Sequence, residues 1–442
     1  MLTASGLVAP LGQHQLVVLL LQVGLLLLLA LALGRLARRL GMPSIVGELC
    51  AGVLVGPSVL HQLWPDLSGW LFPTDVNQAH LLDAFAQLGL VLLVGLTGIE
   101  LDFGVVRRRG RVAAQISAAG FLVPLGLGVF VGYLLPGELM PDSTDRTVFA
   151  LFLGVAMSVS AIPVIAKTLF DMKLLHRNVG QLILAAGVVD DVAGWIMLSV
   201  VSAMATTGLA VGDLGLPLTF LALVIAFAAT IGRPVVRRFL TLLGKGQEPG
   251  VRAAGVVVAI LLAAAATHAM GLEAVFGAFV CGILIRSSGA VDGVALAPLR
   301  TVVLSVLAPV FFATAGLRMD LSALADPTVL LSAVVVLFVA VVGKFAGALI
   351  GSLAGRLSRW EAIGIGAGMN ARGVIEVIVA MAGLRLGVLT EEVYTIVVLV
   401  AIVTSLMAPP LLRLAMGHVE HTAEERLRQR DMTPVPTREE AP

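Results

Sequence analysis

Apolar residues run through this chain in long blocks, and polar residues gather in the short breaks between them. Each block is about as long as a helix needs to cross a bilayer, roughly 20 residues. The pattern predicts thirteen helices, over 14–34, 43–60, 80–99, 112–135, 147–170, 179–206, 214–240, 251–269, 272–288, 298–316, 328–355, 359–385 and 390–416. Two of them are interrupted at mid-depth. The fifth reads LFLGVAMSVSAIPVIAKTLF, with Ser158, Ser160 and Pro163 near its centre. A proline there removes a backbone hydrogen bond and clashes with the preceding turn. The twelfth reads WEAIGIGAGMNARGVIEVIVAMA, with Gly364, Gly366, Gly368, Asn370 and Gly373. Glycine tolerates non-helical backbone. An odd number of crossings separates the two, so they traverse in opposite directions. That is the pattern of an inverted repeat, in which segments one to six match eight to thirteen and the seventh connects them.

Composition agrees with the pattern. Of 442 residues, 58% are hydrophobic and only 13% charged, against about 25% charged in a soluble domain. The fold class is therefore an all-α polytopic membrane protein. A net charge of +1 argues against nucleic-acid binding. Cys50 and Cys281 both fall inside apolar blocks, too few and too buried for a disulfide framework or a metal site. The first block lacks a basic leader and is followed by Arg35, Arg38 and Arg39, so it reads as a membrane helix rather than a signal peptide. Alternate connections carry the Lys and Arg: Arg107–Arg109 with Arg111, Lys173 and Arg177, the 233–252 cluster, Arg286 and Arg300, Arg356 and Arg359. This bias places the N-terminus outside and the C-terminus in the cytoplasm of a cell (inner or plasma) membrane. Residues 417–442 are polar and Pro-containing, and read as a short, frayed cytoplasmic tail.

Against this background, Asp190 and Asp191 stand side by side at the middle of the sixth segment. A charge at bilayer mid-depth costs about 2.5–3.5 kcal/mol on insertion scales, so such residues are rare and functional. Two adjacent acids in a dry site do not both ionise freely, which suits them to hold a small cation or a proton. Neighbours on a helix point about 100° apart, so the two acids face different partners. Lys344 is the candidate partner for one of them, being the lysine that falls near the centre of a helix. Arg372 and Glu376 are four apart on the twelfth segment and share a face, a structural pair beside the break. Ser158, Ser160 and Asn370 are candidate oxygen donors to a hard cation. Glu48 is ambiguous, Glu100 and Asp102 read as solvated at a helix end, and His268 as a helix-end residue. The repeat Gly347-xxx-Gly351-xxx-Gly355 permits close helix packing. There is no Walker A sequence, HExxH, CxxC or TVGYG filter, so neither an ATP-driven pump, a metalloenzyme nor a potassium channel is indicated.

These residues resemble a known family, the cation:proton antiporter-2 family of monovalent cation/proton antiporters. The likeness is carried by Pro43-SIVGELCAGVLVGPS, SVSAIPVIAKTL, the Asp190-Asp191 pair, APVFFATAGLRMDL (308–321), Gly343-Lys344 and GMNARGVIEVIVA (368–380), in order over residues 14–416. The resemblance implies a homodimer. Its moving core would hold segments four to six and eleven to thirteen, about 112–206 and 328–416, and the remaining helices would form the dimerisation part. It makes Asp191 the shared cation and proton carrier, and Asp190 the partner of Lys344. The two-acid form implies electrogenic exchange of Na⁺ or Li⁺ for protons, with no cofactor beyond the transported ions. No nucleotide-binding domain is seen, which shifts weight away from gated K⁺ efflux. K⁺/H⁺ exchange is the alternative, and more remotely a sodium-coupled organic-solute symporter.

Overall fold

Helix is the regular structure throughout the described residues of the computed structural model, which cover 12–426 apart from 74, 101–102, 162–164, 166–167, 170–171, 208–210, 245–248 and 291–292. Lipid offers no hydrogen bonds, so each spanning segment must satisfy its backbone internally. In chain order the helices are α1 Gln13–Arg39, α2 Ser44–Val55, α3 Leu60–Leu63, α4 Pro65–Leu71, α5 Val76–Glu100, α6 Phe103–Leu134, α7 Arg146–Ser158, α8 Asn178–Thr207 and α9 Val211–Phe227. They continue as α10 Arg233–Gly244, α11 Pro249–Ala269, α12 Ala274–Ser288, α13 Gly293–Val302, α14 Ala308–Leu317, α15 Pro327–Ala354, α16 Arg359–Met369, α17 Val374–Arg385 and α18 Glu391–Met416.

Among the described residues, ten helical spans are long and apolar enough to cross a membrane. Three of the thirteen predicted segments are not spans of that kind. The fifth is helical over Arg146–Ser158 and then interrupted, the ninth is the 15-residue α12, and the twelfth divides into α16 and α17. Proline shapes the other departures. The second predicted helix stops at Val55, because Gly56 turns extended (φ −89°, ψ −168°) ahead of Pro57, and the short α3 and α4 follow. Single π-turns at Ala228–Gly232 and Val303–Leu307 come just before Pro234 and Pro309. The wider turn absorbs the missing N–H and the ring clash without breaking the helix.

The helices pack in two groups. One contains α6, α7, α8 and α15–α18; the other contains α1, α2, α5 and α10–α14. In the first group α15 lies against α6 along a glycine seam. A Cβ on Gly347 would sit 2.4 Å from the Ala119 carbonyl oxygen, and one on Gly351 2.6 Å from the Ile116 Cα. Only hydrogen at those positions permits so close an approach. Asp326 starts α15 by accepting from the Thr328 and Val329 amides, and the Thr328 amide holds its carboxyl below the usual carboxylate range. Two hydrogen bonds join the groups at one end. Tyr394 Oη on α18 donates to the Ala315 carbonyl of α14 at 2.6 Å, and the Asp320 amide donates to Thr395 Oγ1 at 3.1 Å.

The tail departs from expectation over 417–426, with 427–442 outside the described residues. The segment docks rather than frays. Arg177 pairs with Glu425 (Nε–Oε2, 3.2 Å) and donates to the Val419 carbonyl at 2.7 Å. The Asn178 amide, at the start of α8, donates to Glu425 Oε1 at 2.5 Å. Burial works to raise the Glu425 pKa, but the Asn178 and Thr422 amides and Arg177 outweigh it and hold the carboxyl below its ordinary value.

Candidate ion site

The two interruptions meet. α7 ends at Ser158, and Val159 turns extended (φ −70°, ψ 148°). That is four residues ahead of Pro163, which lies outside the described residues, as does Lys167. α16 ends at Met369, and the helix resumes at Val374 after Gly373. The Ala161 amide donates to the Ala371 carbonyl at 3.2 Å, so backbone freed by one break satisfies backbone freed by the other. Ser160 Oγ lies 2.9 Å from the Met369 carbonyl oxygen, which shares the hydroxyl's single proton with Asp190. Arg372, fully buried, donates to the Ala156 and Ala340 carbonyls at 3.1 Å each and pairs with Glu376 at 3.2 Å. It thus caps the otherwise orphaned carbonyl end of α7. The Arg372–Glu376 pair lies beside the second break.

The continuous helix α8 carries Asp190 past this crossing. Its carboxylate is 0% exposed and accepts three hydrogen bonds, from Ser117 Oγ (2.6 Å), Ser160 Oγ (3.0 Å) and Lys344 Nζ (3.0 Å). Lys344, also 0% exposed, donates in addition to the Gly120 carbonyl at 3.0 Å. The ammonium faces the carboxylate, and the two hydroxyls occupy two more of its roughly four lone-pair sites. This is the condition under which a buried charge persists. The glycine seam brings Lys344 this far, since Gly343 and Gly347 flank it against α6.

Asp191, also 0% exposed, lies one position further along α8 and so faces about 100° away from Asp190. Asn370 at the second break is fully buried, and neither its Oδ1 nor its Nδ2 has a hydrogen-bond partner among the described residues. Buried polar groups are ordinarily paired, so this one is a candidate contact for water or an ion. Ser158 instead donates to the Val155 carbonyl at 2.9 Å, within its own helix end.

Other candidates lie elsewhere. Glu48 is buried in α2, in the second helix group. Glu100 pairs with Arg300 at 3.1 Å on the surface, and Asp102 is outside the described residues. His268 is exposed near the end of α11. Cys50 is exposed, not buried as expected, while Cys281 is buried. No cluster of three His, Cys, Asp or Glu side chains with metal-binding geometry occurs among the described residues. Ser117 is the residue sequence reasoning missed. Its signal was a lone hydroxyl inside an apolar helix (AAQISAAGF), and nothing in the sequence ties it to an acid 73 positions away.

The arrangement pairs one carboxylate with a lysine and buries a second one residue further along α8, close to a crossing that presents backbone and amide oxygens. Comparison with known proteins gives the family. The family model for the sodium/hydrogen exchanger, transmembrane, matches residues 24–416. The Na⁺/H⁺ antiporter NhaS4 of Synechocystis sp. is 30% identical over 387 residues, covering 87% of this chain and 93% of that protein. Cation/H⁺ antiporter 17 of Arabidopsis thaliana is 30% identical over 406 residues, and the match spans 48% of its length, about half of that relative. In three dimensions the chain is similar to the sodium proton antiporter MjNhaP1 of Methanocaldococcus jannaschii at pH 8. The TM-score is 0.69 at 17% identity, covering 91% of this chain and 99% of that one. On the match over residues 24–416, the chain is an integral membrane protein and belongs to the sodium/hydrogen exchanger family.

Proposed function

We propose that this protein is a secondary active antiporter that exchanges a monovalent cation, Na⁺ or Li⁺ in preference to K⁺, for protons. The observation that carries the reading is the division of labour within the acid pair. Asp190 is held by Lys344, Ser117 and Ser160, and exchange of the occupant is assigned to Asp191, buried on the adjoining face of the same helix. Asp191 binds the cation when ionised and a proton when neutral. A bare carboxylate is too costly to move through the apolar barrier, so exchange is obligatory. Asn370 and the backbone oxygens of the crossing complete the cation's coordination, as hard cations require. The transported ions are the only small molecules the cycle needs. The protein works as a homodimer in the cell membrane, with its N-terminus outside, and by alternating access. Asp191 alone trades one cation for one proton and moves no charge. The second proton comes from Lys344, which deprotonates when the cation displaces it from Asp190 and is reprotonated on the return. One net charge therefore moves per cycle, worth about 2.3 kcal/mol per 100 mV, and voltage drives cation expulsion.

The test is exchange by purified protein in liposomes carrying a pH-reporting dye, with Na⁺, Li⁺ and K⁺ in turn, with and without a clamped voltage. Na⁺ and Li⁺ are expected to dissipate the proton gradient, and negative-inside voltage to speed their exit. Failure of all three cations across pH 5–9 sinks antiport, and K⁺ alone makes the protein a K⁺/H⁺ exchanger. Asp191→Asn is expected to abolish exchange, at least 100-fold, with the fold intact. Substantial retained exchange places the carrier elsewhere.

A further inference from the structure

We propose that one face of α8, from Asp191 through Trp195, Ser199 and Ser202 to Thr206, is the outer half of the ion pathway. It is a track of polar groups that bind water, and the hydrated cation within it, once the outer ends of the two helix groups part. The inference rests on the antiport reading and on the orientation given with it, which puts the Thr207 end of α8 outside.

These five positions follow one another at three- and four-residue steps, so they share a helix face. Trp195, Ser199 and Ser202 are 1%, 0% and 4% exposed, and their Nε1, Oγ and Oγ atoms have no hydrogen-bond partner among the described residues. A serine inside a helix ordinarily returns its hydroxyl to a carbonyl one turn back. Thr206 does so, donating to the Ser202 carbonyl at 3.2 Å; the two serines do not. Three unsatisfied groups in one line are unusual, since native interiors leave few polar atoms without partners. The first of them lies at a boundary. The Trp195 ring lies 5.8 Å, centroid to centroid, from Phe279 on α12, which belongs to the opposite helix group. The line reaches the surface at Thr206, which is exposed. Toward the other end of α8 the same face carries Gly187, Leu184 and Gly180, which have no polar side-chain atom.

The track is thus one-sided, begins at the acid, and follows the seam along which the groups would separate. Tyr394 and Thr395 tie the groups together across that end, so the track is shut. Opening the seam would supply the missing partners as water. Neutral hydroxyls and an indole N–H suit water and a small hydrated cation, and offer nothing to hold an organic anion.

The test replaces Cys50 and Cys281 by Ala and then introduces Ser199→Cys, Ser202→Cys or Leu198→Cys singly. Leu198 is 0% exposed on a different face of α8 and serves as control. A charged, membrane-impermeant methanethiosulfonate reagent is applied to proteoliposomes from either side. Cys at 199 and 202 is expected to react at least tenfold faster than Cys at 198, and from the outside. Reaction no faster than the control, in protein that still exchanges ions, overturns the track and leaves antiport standing. Reaction without exchange by any cation overturns antiport and leaves the track. A second variant, Ser199→Val with Ser202→Val, separates wetting from packing. It is expected to exchange at least fivefold more slowly while melting no lower than the parent. A lower melting temperature with exchange unchanged makes the serines structural and also overturns the track.

Discussion

Lys344 and Asp190 form a pair that neither could hold alone. Two charges taken out of water pay a desolvation cost that only close pairing and full hydrogen bonding offset. Removing one partner from a buried pair destabilises by about 3–5 kcal/mol. Here the low end applies to Lys344→Gln, because Asp190 keeps the Ser117 and Ser160 hydroxyls. The expected outcome is a lower melting temperature in detergent, partly restored by adding Asp190→Asn. If the double variant melts no higher than the single one, the lysine does not act through Asp190. The sequence made this partnership readable because a lysine at mid-helix must find an acid. It could not show that Ser117 completes the shell, since which helix faces the acid is a matter of packing. Nor could it show that the tail docks. Glu425 looked like one of several acids in a polar run, and its role appears only when Arg177 and the start of α8 are placed beside it. Its folded pKa is depressed. Its contribution is therefore present above the ordinary glutamate value of 4.5 and lost as pH falls through the lower folded one. Hydrogen exchange over 418–426 is expected to stay slow down to that range and quicken below it. Glu425→Gln should bring the faster exchange to neutral pH, and unchanged exchange in that variant removes the ion pair as the anchor.

At the scale of elements, glycine decides where the chemistry can occur. The repeat at 347, 351 and 355 was legible only as a small-residue motif, common to many membrane helices. The structure gives it a specific purpose: the backbones of α15 and α6 approach so closely that Lys344 reaches both the Gly120 carbonyl and Asp190. A Cβ at 347 would meet the Ala119 carbonyl oxygen at 2.4 Å, which is backbone and cannot rotate away. Gly347→Ala must push the helices apart, at a cost of about 1–3 kcal/mol for overpacking, and draw Lys344 away from its acid. Exchange is expected to fall at least tenfold while the protein still inserts and purifies. The control is Ala346→Ser, which adds a comparable atom at a half-buried position one residue round the helix from the seam and should be silent. Equal loss in both variants would mean that the seam is not special. The two interruptions were better signposted, by Pro163 in one segment and by a run of glycines with Asn370 in the other. What the sequence could not supply was their contact, the Ala161–Ala371 hydrogen bond, because it joins residues 210 positions apart.

For the whole molecule, the informative feature is that the site sits inside one helix group, against which the other packs through α8 and α12. Acid, lysine, both serines and both breaks belong to α6–α8 and α15–α17. Movement of that group against α1, α2, α5 and α10–α14 would carry the site as a unit. The hydrogen bonds that resist such movement at the outer end are Tyr394 to the Ala315 carbonyl and the Asp320 amide to Thr395. A neutral hydrogen bond is worth about 1 kcal/mol net, which is roughly a fivefold shift between two states. Tyr394→Phe keeps the ring in its buried place and deletes the outer tie alone. The population with the outer ends apart is therefore expected to rise about fivefold. Paired spin labels on exposed residues of the two groups at that end, Glu138 of the first and His268 on α11 of the second, should show a longer-distance component growing in the variant. The direction is what matters. A distance distribution that does not change, in a variant whose melting temperature has fallen, would mean that the tyrosine holds α18 in place within a single state and is no part of a gate between two.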